Sequence, residues 1–214
     1  MKNIFNTDNW FWQLMSELAD LLILSLMWIL CCLPVVTIGP ATVALYYVTL
    51  KKLKKQDDVG IFRLFRRSFR DNWKVTAIIG IASTALGLLL YFSLRSYADA
   101  QGTLKPVFGS VTLVGGVIYL LLLPYLYGQM AWFRNTAGKY IVSGLYLTLR
   151  HILRSLLIAG ITAVGILIIA YLPPLFLVVP ASVVLGHCAI LLKIFERYAP
   201  PAEDADTTDA GIQK

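Results

Sequence analysis

The chain is expected to fold as an all-α, polytopic transmembrane bundle, and three observations carry that expectation. Four stretches, 21–50, 75–94, 107–133 and 155–186, contain no Asp, Glu, Lys, Arg or His. Hydrophobic residues make up 58% of the 214 positions and charged residues 14%, against about 25% charged in soluble domains. Most of the positive charge collects in two short blocks between the apolar stretches, 51–74 and 134–154. A water-soluble fold of this size could not bury so much apolar surface. The length fits a single membrane domain over 1–199, with no room for a second folded module.

A helix rises 1.5 Å per residue, so about 20 residues cross a hydrocarbon layer about 30 Å thick. As one helix, 21–50 would be about 45 Å long, so it must break. The break is written at 33–41, Leu-Pro-Val-Val-Thr-Ile-Gly-Pro-Ala, where Pro34, Gly39 and Pro40 fall close together. The expectation is a hairpin: one helix over 12–33, then a shorter one over 41–53 whose terminal lysines reach the headgroups. A single kinked span with its second half in the interface is the alternative. Spans at 75–95, 107–132, 155–172 and 175–194 follow. The second of these is long, and Pro124 followed by Tyr125, Tyr127 and Trp132 predicts a kinked or tilted helix ending in an aromatic belt. The last two are separated at Pro173 and Pro174, which remove two amide donors and disfavour helix before them. The hairpin gives six spans and the kink five.

Orientation follows from lysine and arginine. The blocks 51–74 and 134–154 are expected to be cytoplasmic, whereas 95–106 carries only Arg95, Asp99 and Lys105 and the Pro173 turn is uncharged. Lys193 and Arg197 place the C-terminus inside; six spans place the N-terminus inside too, and five place it outside. Trp10, Phe11 and Trp12 suit an interfacial anchor. The first apolar run follows Glu17 and Asp20 rather than a basic region, so no cleaved signal peptide is expected. The acidic tail, 200–214, has no apolar period and is expected to be disordered.

Two short, basic, amphipathic interfacial helices are expected in the cytoplasmic blocks. In the first, Phe62, Phe65, Phe69 and Trp73 form one stripe, and Arg63, Arg66, Arg67, Arg70 and Lys74 form the opposite side. In the second, 149–154, Leu-Arg-His-Ile-Leu-Arg, matches 65–70, Phe-Arg-Arg-Ser-Phe-Arg, in register. With the Leu-Pro steps at 33–34 and 123–124, this hints at an internal duplication. Arg63, Arg66, Arg67, Arg70, Arg150 and Arg154 are the candidate docking residues for a cytoplasmic partner or for lipid; topology and lipid anchoring alone also account for them.

The formal net charge of +7 sits beside apolar spans, which points to anionic headgroups rather than nucleic acid. Cys31, Cys32 and Cys188 lie in apolar segments and act as small hydrophobes. His187 is the one ionisable side chain well inside a span; no acidic residue in a later span can pair with it, so it is read as neutral and hydrogen-bonded. Glu17 and Asp20 can pair with basic residues at the interface. The two histidines lack metal-ligand spacing, and no nucleophile elbow, zinc-helix motif or phosphate loop occurs, so no catalytic, cofactor or metal site is expected and the chain is not read as an enzyme. Small-xxx-small pairs, Gly80 with Thr84, Ser83 with Gly87, Thr112 with Gly116, Ala159 with Ala163 and Ser182 with Gly186, allow close helix packing, and one such face would serve a homo-oligomer or partner.

The string 28–42, Trp-Ile-Leu-Cys-Cys-Leu-Pro-Val-Val-Thr-Ile-Gly-Pro-Ala-Thr, with Leu45, Tyr46 and Tyr47 and then 62–69, resembles the YesL-like family of bacterial membrane proteins, whose function is unknown. The resemblance implies a place in the plasma membrane of a bacterium. It also implies an accessory role in sugar uptake, because such proteins are often encoded beside carbohydrate ABC importers and polysaccharide-degrading enzymes. The Glu-Ala-Ala coupling string of an importer permease does not occur, so the chain resembles a companion of a transporter more than its pore. The expected function is a non-catalytic accessory or scaffold of a carbohydrate ABC-type importer. The alternative is an independent small-solute transporter or channel using the break at Pro34, Thr37, Gly39 and Pro40 together with His187. Irregular backbone at membrane depth must be buried in protein or line a wet cavity; a hairpin turn at the outer surface is the simpler account of that break.

Overall fold

The computed structural model describes residues 10–54, 60–71, 73–99, 104–133 and 135–198. The expected acidic tail at 200–214 lies outside the described residues. Within them the regular structure is helical: α1 (Trp10–Cys31), α2 (Ile38–Leu53), α3 (Ile61–Asp71), α4 (Trp73–Asp99), α5 (Leu104–Trp132), α6 (Ala137–Arg150), α7 (Ile152–Tyr171) and α8 (Val179–Tyr198). Among the described residues, four segments are long and apolar enough to cross a membrane: Trp73–Tyr97, Lys105–Trp132, Ile152–Tyr171 and Val179–Tyr198.

At Pro34–Pro40 the chain reverses. Asp20 on α1 pairs with Lys52 on α2 at 2.5 Å, and the Trp28 indole donates to Thr42 Oγ1 at 3.1 Å. Contacts between 20 and 52 and between 28 and 42 exist only if the two helices run antiparallel. The reversal is a 3₁₀ turn at Val35–Thr37. Pro40 then sits in the first turn of α2, where a missing amide costs nothing because that amide has no partner in the helix. The second reversal is built the same way. A 3₁₀ turn at Pro173–Leu177 leads into α8, with Pro180 in its first turn. This turn takes up residues expected to begin the last span, so α8 starts at Val179 rather than near 175.

α2 is the centre of the molecule. It packs against α1, α3, α4, α5 and α8, and ten of its sixteen residues are buried. Gly39 explains how α4 comes so near: a Cβ there would lie 2.2 Å from the Thr76 carbonyl oxygen and 2.8 Å from Gly80 Cα, and one on Gly80 would lie 2.5 Å from Gly39 Cα. The two backbones touch, so Gly39 and Gly80 are packing glycines. The neighbouring Ser83 hydroxyl pairs with Tyr127 on α5 at 2.6 Å. Of the other expected small-residue positions, Gly87 faces Tyr119, Gly186 faces Ile161, and Gly116 faces open space.

Only the near halves of α4 and α5 enter this core. The buried residues of α4 lie between Thr76 and Ser83 and those of α5 between Pro124 and Met130. Beyond them the two helices pack on each other through Tyr119 with Gly87, Leu90 with Gly115 and Thr112 with Ser93. α5 continues unbroken through Pro124.

Candidate functional site

Two places combine polar chemistry with burial or display: a hydrogen-bonded cluster inside the bundle, and the basic end.

The inner cluster centres on His187, which α8 carries into the core. The Tyr46 hydroxyl on α2 lies 2.8 Å from His187 Nδ1, and Thr162 Oγ1 on α7 lies 3.1 Å from Nε2. Thr162 also donates to the Ile158 carbonyl, which leaves its oxygen free to accept from Nε2–H. Tyr46 then donates to Nδ1. Every ring nitrogen is satisfied by a neutral imidazole, so the histidine ties three helices together without a charge. The Cys188 thiol approaches the Tyr46 carbonyl at 3.8 Å. A cavity of about 320 Å³ adjoins the cluster, lined by Trp28, Tyr46, Pro124, Tyr127, Thr162 and His187 among apolar neighbours. Thr162 did not stand out from sequence and Tyr46 did so only within the string that carries the resemblance, since a hydroxyl in a span has no signature of a polar contact until its partner is located.

Four arginines of the first basic block, Arg63, Arg66, Arg67 and Arg70, line one open face of α3 together with Asp71. The opposite face is seated on α2. The seated residues are Leu64 and Phe65, with Ile61 and Phe69 packed at the margin. Phe62 is 67% exposed and Trp73 begins α4, so the stripe expected through Phe62 and Trp73 is corrected. The seat is the Ile61–Leu64–Phe65 edge, because α2 lies along that side and Trp73 belongs to α4. A second cavity, about 360 Å³, opens where α2, α3 and the end of α5 meet, with Lys51, Lys54, Arg67, Ser68 and Trp132 in its wall. Lys54 lies over the Trp132 ring at 4.3 Å and within 3.9 Å of Glu196 on α8.

The second basic block differs. Phe65 to Arg70 lie within one helix, whereas 149–154 straddles a joint: α6 ends at Arg150, and His151, with φ −116° and ψ 44°, turns the chain into α7. The register match therefore does not describe matched helices. Arg150 bonds the Tyr146 hydroxyl on its own helix and faces the Tyr198 ring. Arg154 is half-buried on the far side of the joint, with a buried Nη1 that has no hydrogen-bond partner among the described residues. Burial, with Arg154, Arg150 and Arg197 nearby, holds the His151 pKa below its ordinary value of 6.5. Ser155 locks the joint: its hydroxyl donates to the Thr148 carbonyl and accepts from the Tyr125 hydroxyl, each at 3.0 Å. Of the break residues, Thr37 has the largest polar role: its hydroxyl lies 2.6 Å from the carbonyl oxygens of Cys31 and Pro34.

A bundle of long apolar helices with its basic residues concentrated at helix ends, and with a charge-free polar cluster inside, defines a helical membrane protein. Residues 21–94 match the family described as "Protein of unknown function, DUF624", and the chain is similar to proteins of the YesL-like kind. It is 29% identical over 123 residues to "Uncharacterized protein YesL" of Bacillus subtilis (strain 168), covering 57% of this chain and 59% of that protein. To "Uncharacterized protein YesV" of the same organism it is 30% identical over 107 residues, covering 50% and 51%. To "Uncharacterized protein YteU" it is 22% identical over 170 residues, covering 77% and 76%. The chain thus spans between half and three-fifths of the lengths of YesL and YesV. No solved structure matches it.

Proposed function

We propose that this chain is a non-catalytic accessory protein of the bacterial plasma membrane that displays α3 as a rigid cationic docking helix, with a subunit of a carbohydrate ABC-type importer as its partner. One observation carries the reading: Leu64 and Phe65 anchor α3 to the central helix, so the arginine face is held outward in a fixed register. A chain that used these arginines for charge bias alone would not need them on an anchored helix. The basic blocks, the C-terminus and, because the chain reverses at Pro34–Pro40, the N-terminus lie on the cytoplasmic side. If both arms of that reversal cross, the spans number six. Anionic headgroups neutralise the basic surface around α3 and Arg150, and the open face at Gly116 suits a homo-oligomer.

The test is affinity purification of the tagged protein from its native membrane in mild detergent, with mass spectrometry of what accompanies it. Importer permease or solute-binding subunits are expected with the natural chain and are lost with Arg63→Glu/Arg66→Glu/Arg70→Glu, which leaves the anchor intact. Recovery of the protein without any importer subunit at native expression overturns the reading. A second reading, an independent small-solute transporter or channel, is favoured by the polar cluster and its 320 Å³ cavity. Under it, reconstituted protein moves a sugar, ion or osmolyte, and His187→Ala abolishes the movement.

A further inference from the structure

We infer that α1 and α2 form a re-entrant hairpin whose tip, residues 33–37, is held inside the hydrocarbon layer, so that the partner of this exposed surface is lipid acyl chain. Three observations converge on it.

The first is depth. Gly39 meets α4 at Thr76 and Gly80. α4 enters the bilayer after the charged end of α3 and Lys74, and Gly80 lies seven residues beyond Trp73. At 1.5 Å per residue the contact is about 10 Å along α4, with about 28 Å of the helix still to come before Asp99. Past the core α4 and α5 continue side by side as far as Ser93 and Thr112, so these two helices reach well past the level of the tip. α2 itself, with sixteen residues, is about 24 Å long, short of the roughly 30 Å needed to cross.

The second is the chemistry of the tip surface. Leu33 is 77% exposed, Val35 and Val36 are also exposed, and no charged side chain lies between Leu21 and Leu50. Water-exposed turns are built of Gly, Pro, Asn, Asp and Ser. An outward-facing Leu-Pro-Val-Val turn suits hydrocarbon.

The third is backbone accounting. In lipid an internal partner for a freed polar group of a turn lowers its cost, and several groups of this turn have one. The Thr37 hydroxyl reaches the carbonyl oxygens of Cys31 and Pro34, the Thr37 amide donates to the Pro34 carbonyl, and the Cys32 amide donates to the Trp28 carbonyl. The two prolines lack amides altogether. Thr37 thus closes the turn through both its hydroxyl and its amide.

The decisive substitution is Leu33→Asp in the otherwise natural chain, read as the yield of monodisperse protein from membranes. At a water-facing turn a residue this exposed accepts Asp with unchanged yield, and that result would overturn the inference. Inside hydrocarbon the same carboxylate is disfavoured by roughly a hundredfold, so folded protein is expected to be nearly lost. Leu33→Cys with Cys31, Cys32 and Cys188 replaced by Ala supplies a readout from folded protein. A membrane-impermeant maleimide should leave it unlabelled from both sides of sealed vesicles while labelling Lys105→Cys from one side and Arg66→Cys from the other. Labelling of Leu33→Cys at the rate of Lys105→Cys would show a full crossing and end the proposal.

Discussion

α2 and α7 are both uncharged over most of their length, yet one is the core and the other is a wall. Ten of sixteen residues of α2 are buried, while α7 buries Ser155, Ile158 and Gly165. α7 turns Leu153, Leu156, Leu157, Val164, Ile166 and Leu167 outward. The difference lies in side-chain size. α2 opens with Ile-Gly-Pro-Ala-Thr-Val-Ala, small enough for α4 to reach its backbone and for α5 and α8 to close over it. α7 is dominated by leucine and isoleucine, which keep neighbours at a distance and fill the space beside lipid. In a membrane apolarity does not drive helices together, so volume and hydrogen bonding choose the centre.

That contrast can be broken in matched pairs. The largest effect is expected from Gly39→Val against Gly160→Val. The first forces a side chain into the Thr76 carbonyl and should cost more than about 3 kcal/mol, beyond ordinary overpacking, because backbone cannot yield. The second meets open space and should change thermal stability in detergent by no more than about 0.5 kcal/mol. Equal losses would refute the assignment of α2 as the core.

Next in size is Leu45→Ala against Leu157→Ala. Leu45 is 1% exposed, and its removal leaves a cavity costing about 2–4 kcal/mol; Leu157 faces outward and its loss should be within about 0.5 kcal/mol. Both are read as unfolding midpoints of purified protein. Tyr46→Phe follows, since it leaves His187 Nδ1 without a donor and should cost about 1–2 kcal/mol. In a His187→Leu background the same change should cost much less, because the two side chains form one unit. Additive losses would mean that the cluster does not act as a unit.

The smallest effect belongs to Asp20→Asn. The Asp20–Lys52 pair is partly exposed, so about 0.5 kcal/mol is expected, and the difference should fade as salt is added. Loss of the folded protein instead would make this pair, rather than the glycine contact, the clasp of the hairpin.

Helicity and apolar character were legible from composition and from the charge-free runs, since both are one-dimensional properties. The reversal at Pro34–Pro40 was legible for the same reason: prolines act through their own backbone. Gly39 was read as part of a turn, and its actual work is to admit α4, which depends on a residue forty-one positions away. The neighbours of His187 were invisible because Tyr46 and Thr162 belong to helices whose rotations only packing decides. Leu149 to Arg154 misled because local charge pattern repeats where backbone conformation does not, and a single residue, His151, ends one helix and starts another.

The glycine contact has a consequence for how the molecule is made. α1, α2 and α4 leave the ribosome early and contain the Gly39–Gly80 seam, yet α2 is also covered by α5 and α8. α8 is the last of the described helices to be synthesised, and the Ser25 hydroxyl on α1 holds its first turn through the Ala181 amide at 3.1 Å. The segment that matches the family model, 21–94, therefore lacks two of the helices that cover α2. Until α8 arrives, one flank of α2 faces whatever holds the nascent chain, and a product truncated after α4 should be a substrate for membrane quality control rather than a small stable protein.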